Sequence, residues 1–128
     1  IVNPKTKEEI TNDTDILFIS NNNKLLKSLE ILFNEYTSNS VLNGIDAIDL
    51  IRAGENYNLI LIDDEMKPIS GLETLKKLRS LDINIPCIIM LDNDKEHIKN
   101  HYIKDGFIDY ILKDDLKNEM ERVIKKYL

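Results

Sequence analysis

Three observations predict an α/β protein whose parallel sheet lies between two layers of helices. Short apolar runs alternate along the chain with amphipathic segments of helical period. Three of these runs, ILFI at 16–19, LILI at 59–62 and CIIML at 87–91, are continuously apolar, as strands covered on both faces must be. Several segments between them open with helix-capping residues. Five β-α units in sequence, joined by right-handed crossovers, complete the prediction.

Residues 1–14 (IVNPKTKEEITNDT) are polar and mostly unpatterned, and read as a linker or fragment boundary, with a short helix allowed over Lys5 to Ile10. The domain proper is placed at 15–128, with ILFI as its first strand. Leu25, Leu29, Leu32, Phe33 and Tyr36 then fall on one helical face, and one of Asn21, Asn22 and Asn23 is the expected N-cap. SVL at 40–42 is a weaker second strand, followed by a helix marked by Ala47, Ile48 and Ile51. LILI is the third strand. Ser70-Gly-Leu-Glu73 fits a capping box for the next helix, whose apolar face is Leu72, Leu75 and Leu78. CIIML is the fourth, and Asn93-Asp-Lys-Glu96 fits the same box ahead of a weaker helix carrying Ile98 and Tyr102. FIDYIL at 107–112 is a fifth strand. Leu116, Met120, Val123, Ile124 and Tyr127 repeat the spacing of the first helix.

Composition narrows the function. The 128 residues, 42% hydrophobic and 31% charged, suit one soluble globular domain. A net charge of −6 argues against direct binding to nucleic acid. No apolar run approaches the ~20 residues of a membrane span, so no membrane partner is expected. The single cysteine, Cys87, lies in an apolar run and reads as a buried thiol in a reducing compartment, which makes the expected location cytoplasmic.

In open α/β sheets, ligands bind beyond the carboxyl ends of the strands. Those ends are Ser20-Asn21-Asn22, Asp63-Asp64-Glu65, Leu91-Asp92 and Lys113-Asp114. A carboxylate at Asp63 and a lysine at Lys113 would face each other across one pocket. The ordinary reading of Asp64 and Glu65 is that of loop acids near a helix N-terminus. Tyr110 reads equally as an amphipathic tyrosine at a sheet edge.

DDEMKPISG at 63–71, DGFIDY at 105–110 and DYILKD at 109–114, in that order on a five-unit α/β pattern, resemble the receiver domain of two-component response regulators. The first stretch keeps Asp63, Met66 and Gly71 of the family's pattern, with the proline displaced to Pro68. The resemblance covers about residues 15–128 and implies a doubly wound, flavodoxin-like sheet of order 2-1-3-4-5. It implies that Asp63 takes a phosphoryl group from a histidine kinase or phosphotransfer domain, and that Lys113 holds a phosphoryl oxygen. Tyr110 occupies the aromatic switch position.

Departures from the family are equally specific. The hydroxyl-bearing switch residue after strand four falls at Leu91, which donates no hydrogen bond. The two strand-one acids that hold a divalent ion fall at Ser20 and Asn21. Magnesium prefers carboxylate oxygens and water, so the resemblance implies only a weak Mg2+ site built from Asp63, Asn21 and Glu65. Asp64 and Glu65 are then either surface acids or partial substitutes for the missing charge. Asp114 replaces the proline after the lysine, so a trans peptide is expected there.

The expected function is a phosphorelay receiver that either accepts a phosphoryl group on Asp63 or serves as a weakly phosphorylated interaction module, and is not an enzyme. An output domain or kinase core in the same chain is a possible partner. A weak, salt-sensitive homodimer would use the last two helices and strand five, where Lys104, Asp105, Lys117, Glu119, Glu121 and Arg122 mix charges. The alternative is an aspartyl-phosphate-forming phosphatase of the haloacid dehalogenase type. Its D-x-D-x-T/V pattern does not fit residues 63–67.

Overall fold

A computed structural model of the protein describes residues 13–92 and 94–128. Five strands, β1 (Asp13–Ile19), β2 (Ser38–Val41), β3 (Asn56–Asp63), β4 (Cys87–Leu91) and β5 (Asp109–Leu112), alternate with five helices. These are α1 (Asn23–Leu32), α2 (Gly44–Arg52), α3 (Gly71–Ser80), α4 (Glu96–Asp105) and α5 (Leu116–Tyr127). The sheet is parallel throughout, in the expected order β2-β1-β3-β4-β5.

Each central strand feeds two cores, which explains why its sequence does not alternate. Ile16 and Phe18 of β1, with Leu59, Leu61, Ile88 and Met90, pack against Leu25, Leu29 and Phe33 around α1 and Val123 of α5. Their neighbours Leu17 and Ile19, with Ile60, Ile62, Ile89 and Leu91, pack on the other face against Ala47, Ile48, Leu75 and Leu78 of α2 and α3. Removing both faces of three adjacent strands from water is the main source of stability here. Cys87 belongs to the second core and is buried, and burial pushes its thiol up to about 11.

Local signals hold where a side chain closes the backbone. Asn22 is the N-cap of α1, its side chain accepting from the amides of Lys24 and Leu25. Ser70 and Glu73 complete the reciprocal capping box of α3. The box expected at the start of α4 does not form. Glu96 is the first helical residue rather than the third, and Lys95 is an N-cap that makes no side-chain cap bond. The nearby Asp94 carboxylate is taken instead by Lys99, at 2.8 Å. Asn93, like the Lys5 to Ile10 helix, lies outside the described residues.

Other boundaries shift by up to three residues. β1 starts at Asp13, where Asp13 and Thr14 pair with Asn56 and Tyr57. β5 keeps only the last four residues of FIDYIL, although Phe107 is buried just ahead of it. The peptide following Lys113 is trans, as expected.

Gly71 shows how tightly the α3 start is set against the end of β3. A Cβ there would land on the Asp63 carbonyl oxygen, far inside contact distance, and would crowd Ile89. The Gly71 amide also donates to the Asp64 carbonyl at 3.2 Å. Gly71→Ala is therefore expected to destabilise the domain by about 1–3 kcal/mol, as overpacking against backbone does. Urea unfolding checks this, and a loss below about 0.5 kcal/mol, the range of ordinary surface changes, would show that the loop yields freely.

Candidate functional site

β1, β3, β4 and β5 all end at one edge of the sheet, where parallel strands deliver their last side chains to a common cleft. Asp63 closes β3, is 4% exposed, and makes a short ion pair through Oδ1 with Lys113 Nζ. Its Oδ2 accepts the Ser20 hydroxyl at 2.7 Å. Ser20 is itself fully buried, and its oxygen also accepts from the Asn22 amide at 3.0 Å. Both oxygens of the central carboxylate are therefore held by protein donors.

Lys113 serves more than one acid. Its ammonium lies 3.0 Å from Asp64 Oδ1 and 3.5 Å from Asp92 Oδ2. Burial alone would lower this lysine, but the hydrogen bonds to Asp63 and Asp64 outweigh it, and the ammonium is held above its usual range. The Asp64 carboxyl moves up, mainly through burial, with Asp63 adding to the rise and Lys113 opposing it. Asp64 thus lies against Lys113 beside Asp63 and is not a solvated loop acid.

The remaining expected residues lie as follows. Asn21 turns its amide to backbone: its oxygen accepts from the Lys67 amide at 2.8 Å, and its nitrogen donates to the carbonyls of Leu42 and Lys67. Glu65 is exposed on the rim. Leu91 is fully buried in the second core, a core against which Tyr110 and Leu112 also pack. Tyr110 is half-buried, with Lys99 Nζ 4.7 Å and the Arg122 guanidinium 5.6 Å from its ring centre. The Tyr110 ring is therefore gripped from two helices by cations.

Receiver domains take Mg2+ in an acidic pocket at this edge of the sheet. The donor set present here does not fit that ion. Ser20 gives its proton to Asp63, Asn21 is committed to backbone, and a lysine ammonium already lies against Asp63. Among the described residues no group of three or more His, Cys, Asp or Glu side chains is arranged to hold a metal. Of the three residues expected to share an ion, Asp63 is held by Lys113 and Ser20, Asn21 is held by backbone, and Glu65 is exposed on the rim.

A second polar cluster lay outside the sequence reading. Asp109 in β5 accepts from Arg122 Nη1 at 2.7 Å and from the Tyr127 hydroxyl at 2.7 Å, with Lys126 at 3.7 Å. Arg122 also reaches Glu119 at 3.1 Å and the Tyr110 carbonyl, while Glu119 accepts the Leu112 amide at 2.9 Å. Burial would raise the Asp109 carboxyl, yet Arg122, Tyr127 and the Tyr110 amide together pull it below the usual range. The available signal was the acid inside FIDYIL, on the same strand face as the buried Ile111. Two of the charges expected to serve a dimer face, Glu119 and Arg122, are thus tied to β5 of the same chain, and Asp105 sits 3.4 Å from His101.

Comparison with known proteins defines the class. The family model for the response regulator receiver domain matches residues 13–125, and the chain belongs to that family. Among its relatives is the uncharacterized transcriptional regulatory protein YkoG of Bacillus subtilis, 30% identical over 77% of this chain and 43% of that protein. Sporulation initiation phosphotransferase F of the same organism is 28% identical over 78% of this chain and 85% of its own length. The solved receiver domain of the Francisella response regulator 1452 is 28% identical, covers 88% of this chain and 98% of its own, and superposes with a TM-score of 0.74. This chain spans less than half the length of several of the regulators it matches. None of these matches supports the phosphatase alternative.

Proposed function

We propose that this domain receives a phosphoryl group on Asp63 slowly, without a divalent ion as its main partner, and signals chiefly through contacts with other proteins. The observation that carries the reading is the pairing of Asp63 with Lys113 and Ser20, where the family has acids for a metal. In the transfer, an Asp63 oxygen forms a bond to phosphorus. The donor's bond to phosphorus breaks, and the leaving group, an imidazole for a phosphohistidine donor, departs with the electron pair. Lys113 then exchanges part of its contact with Asp63 for a phosphoryl oxygen, supplying the compensating charge. No hydroxyl from Leu91 adds to this.

The partners proposed are a histidine kinase or phosphotransfer domain as donor, and an output domain or kinase core within a longer chain. Several relatives are transcriptional regulators by name and extend well beyond the matched region. The contact face proposed is α4, β5 and α5, where Ile103 and Ile108 are exposed. Any homodimer there is weak, because Glu119 and Arg122 are engaged within the chain. A cytoplasmic location belongs to the same reading; the described residues contain no helix long and apolar enough to cross a membrane.

Intact-mass analysis after incubation with acetyl phosphate tests the proposal, with Asp63→Asn as the blank. Slow, partial labelling confined to the protein with Asp63 is expected. Equal labelling of the Asp63→Asn variant would remove Asp63 as acceptor, and rapid stoichiometric labelling would refute the slow site.

A further inference from the structure

The acid that follows the phosphoacceptor is fixed more firmly than a loop carboxylate needs to be. Asp64 Oδ1 accepts from Lys113 Nζ at 3.0 Å and from the Glu65 amide at 2.9 Å. Its backbone is pinned as well, the amide donating to Met90 O at 3.1 Å and the carbonyl accepting from Gly71 at 3.2 Å. Its side chain is 15% exposed, against 64% for Asp92, the third acid near Lys113. One ammonium is therefore shared between two well-buried carboxylates and a third, solvated one.

We propose that Asp64 is a positioning residue that occupies Lys113 in place of a phosphoryl oxygen and so sets the site's affinity for anionic phosphate. The inference rests on the reading of Asp63 and Lys113 as the phosphoryl site, and deepens it. Asp64 presents a carboxylate oxygen to the lysine at the distance a phosphoryl oxygen would take. An incoming phosphate must displace that contact and also approach the fixed negative charges of Asp63 and Asp64. The charge on Asp92, largely exposed and at 3.5 Å, is screened by water and salt and matters less. Asp64 thus favours the unoccupied state of the pocket over the occupied one.

The test titrates inorganic phosphate, at constant ionic strength, into isotope-labelled wild type and the variants Asp64→Asn, Asp64→Glu and Asp92→Asn. Amide shifts of Glu65 and Asp92 report binding. Asparagine keeps an oxygen for the Glu65 amide, so the loop keeps its shape while the charge is lost. Asp64→Asn is expected to bind phosphate at least about tenfold more tightly than wild type. Asp64→Glu, which restores the charge, gains little, and Asp92→Asn gains less than about twofold. An unchanged affinity in Asp64→Asn overturns the proposal, and so does an equal gain in Asp92→Asn, which would reduce the effect to net charge. Labelling of the same variants by acetyl phosphate separates the two readings. If phosphate binding follows the expected order while no variant is labelled, Asp64 keeps its role and Asp63 loses its place as acceptor.

Discussion

Replacing Ser20 and Asn21 together by aspartate is expected to make the domain's stability depend on magnesium. Ser20 is fully buried with its hydroxyl on Asp63, so an aspartate there sets two carboxylates face to face. Without a divalent ion Lys113 alone faces the pair, which repels, and the double variant melts below wild type in the presence of a chelator. With Mg2+ the ion binds the folded state alone and stabilises it through mass action, by about 2.7 kcal/mol at a hundredfold excess over the dissociation constant. In a domain of this size that corresponds to a rise in melting temperature of about 10 °C. Calorimetric scans with and without Mg2+ read the effect. A double variant indifferent to Mg2+ would show that the pocket has changed beyond these two positions.

The second large effect lies at the β5–α5 staple. Arg122→Met leaves the Asp109 carboxylate, 6% exposed, with only the Tyr127 hydroxyl, the Tyr110 amide and a distant Lys126. Breaking a fully buried pair costs about 3–5 kcal/mol, and the partial exposure of Arg122 reduces this to about 2–3 kcal/mol. Asp109 is held below its ordinary carboxyl value of 3.8 in the folded state. Its contribution is therefore present above the unfolded pKa and lost as pH falls through the folded one. Wild type should lose this stability below about pH 4, and Arg122→Met should show a shallower acid limb over the same window. The double change with Asp109→Asn should cost less than the sum of the two single changes, since the orphaned charge is gone. Strict additivity in chemical unfolding would mean that the two side chains act independently.

How far the sequence disclosed this molecule depends on the range of the forces involved. The strands and helices were legible because burial on two sheet faces leaves a continuous apolar run, and burial on one helix face leaves a period. Asp63 and Lys113 were legible because each closes a strand, and parallel strands end together. Asp64 was not. Its role depends on a lysine 49 residues away, and nothing local separates it from an acid serving a helix dipole. The helix α4 starts at Glu96 with Lys95 as its N-cap, beyond the cap expected at Asn93, and the intervening Asp94 is engaged by Lys99. Asp109 and Arg122, 13 residues apart, form their pair only when α5 folds back on β5. Asn21 had the composition of a metal ligand, yet its oxygen and nitrogen were already required by the loop at Lys67.

The central claim is that Lys113 and Ser20, and not a divalent ion, hold Asp63. Isothermal calorimetry of Mg2+ into the unmodified protein at constant ionic strength tests it most directly. No saturable binding is expected up to about 10 mM, because Asp63 is already held by Lys113 and Ser20 and Asn21 by backbone. A saturable isotherm with a submillimolar dissociation constant, abolished by Asp63→Asn, would contradict it.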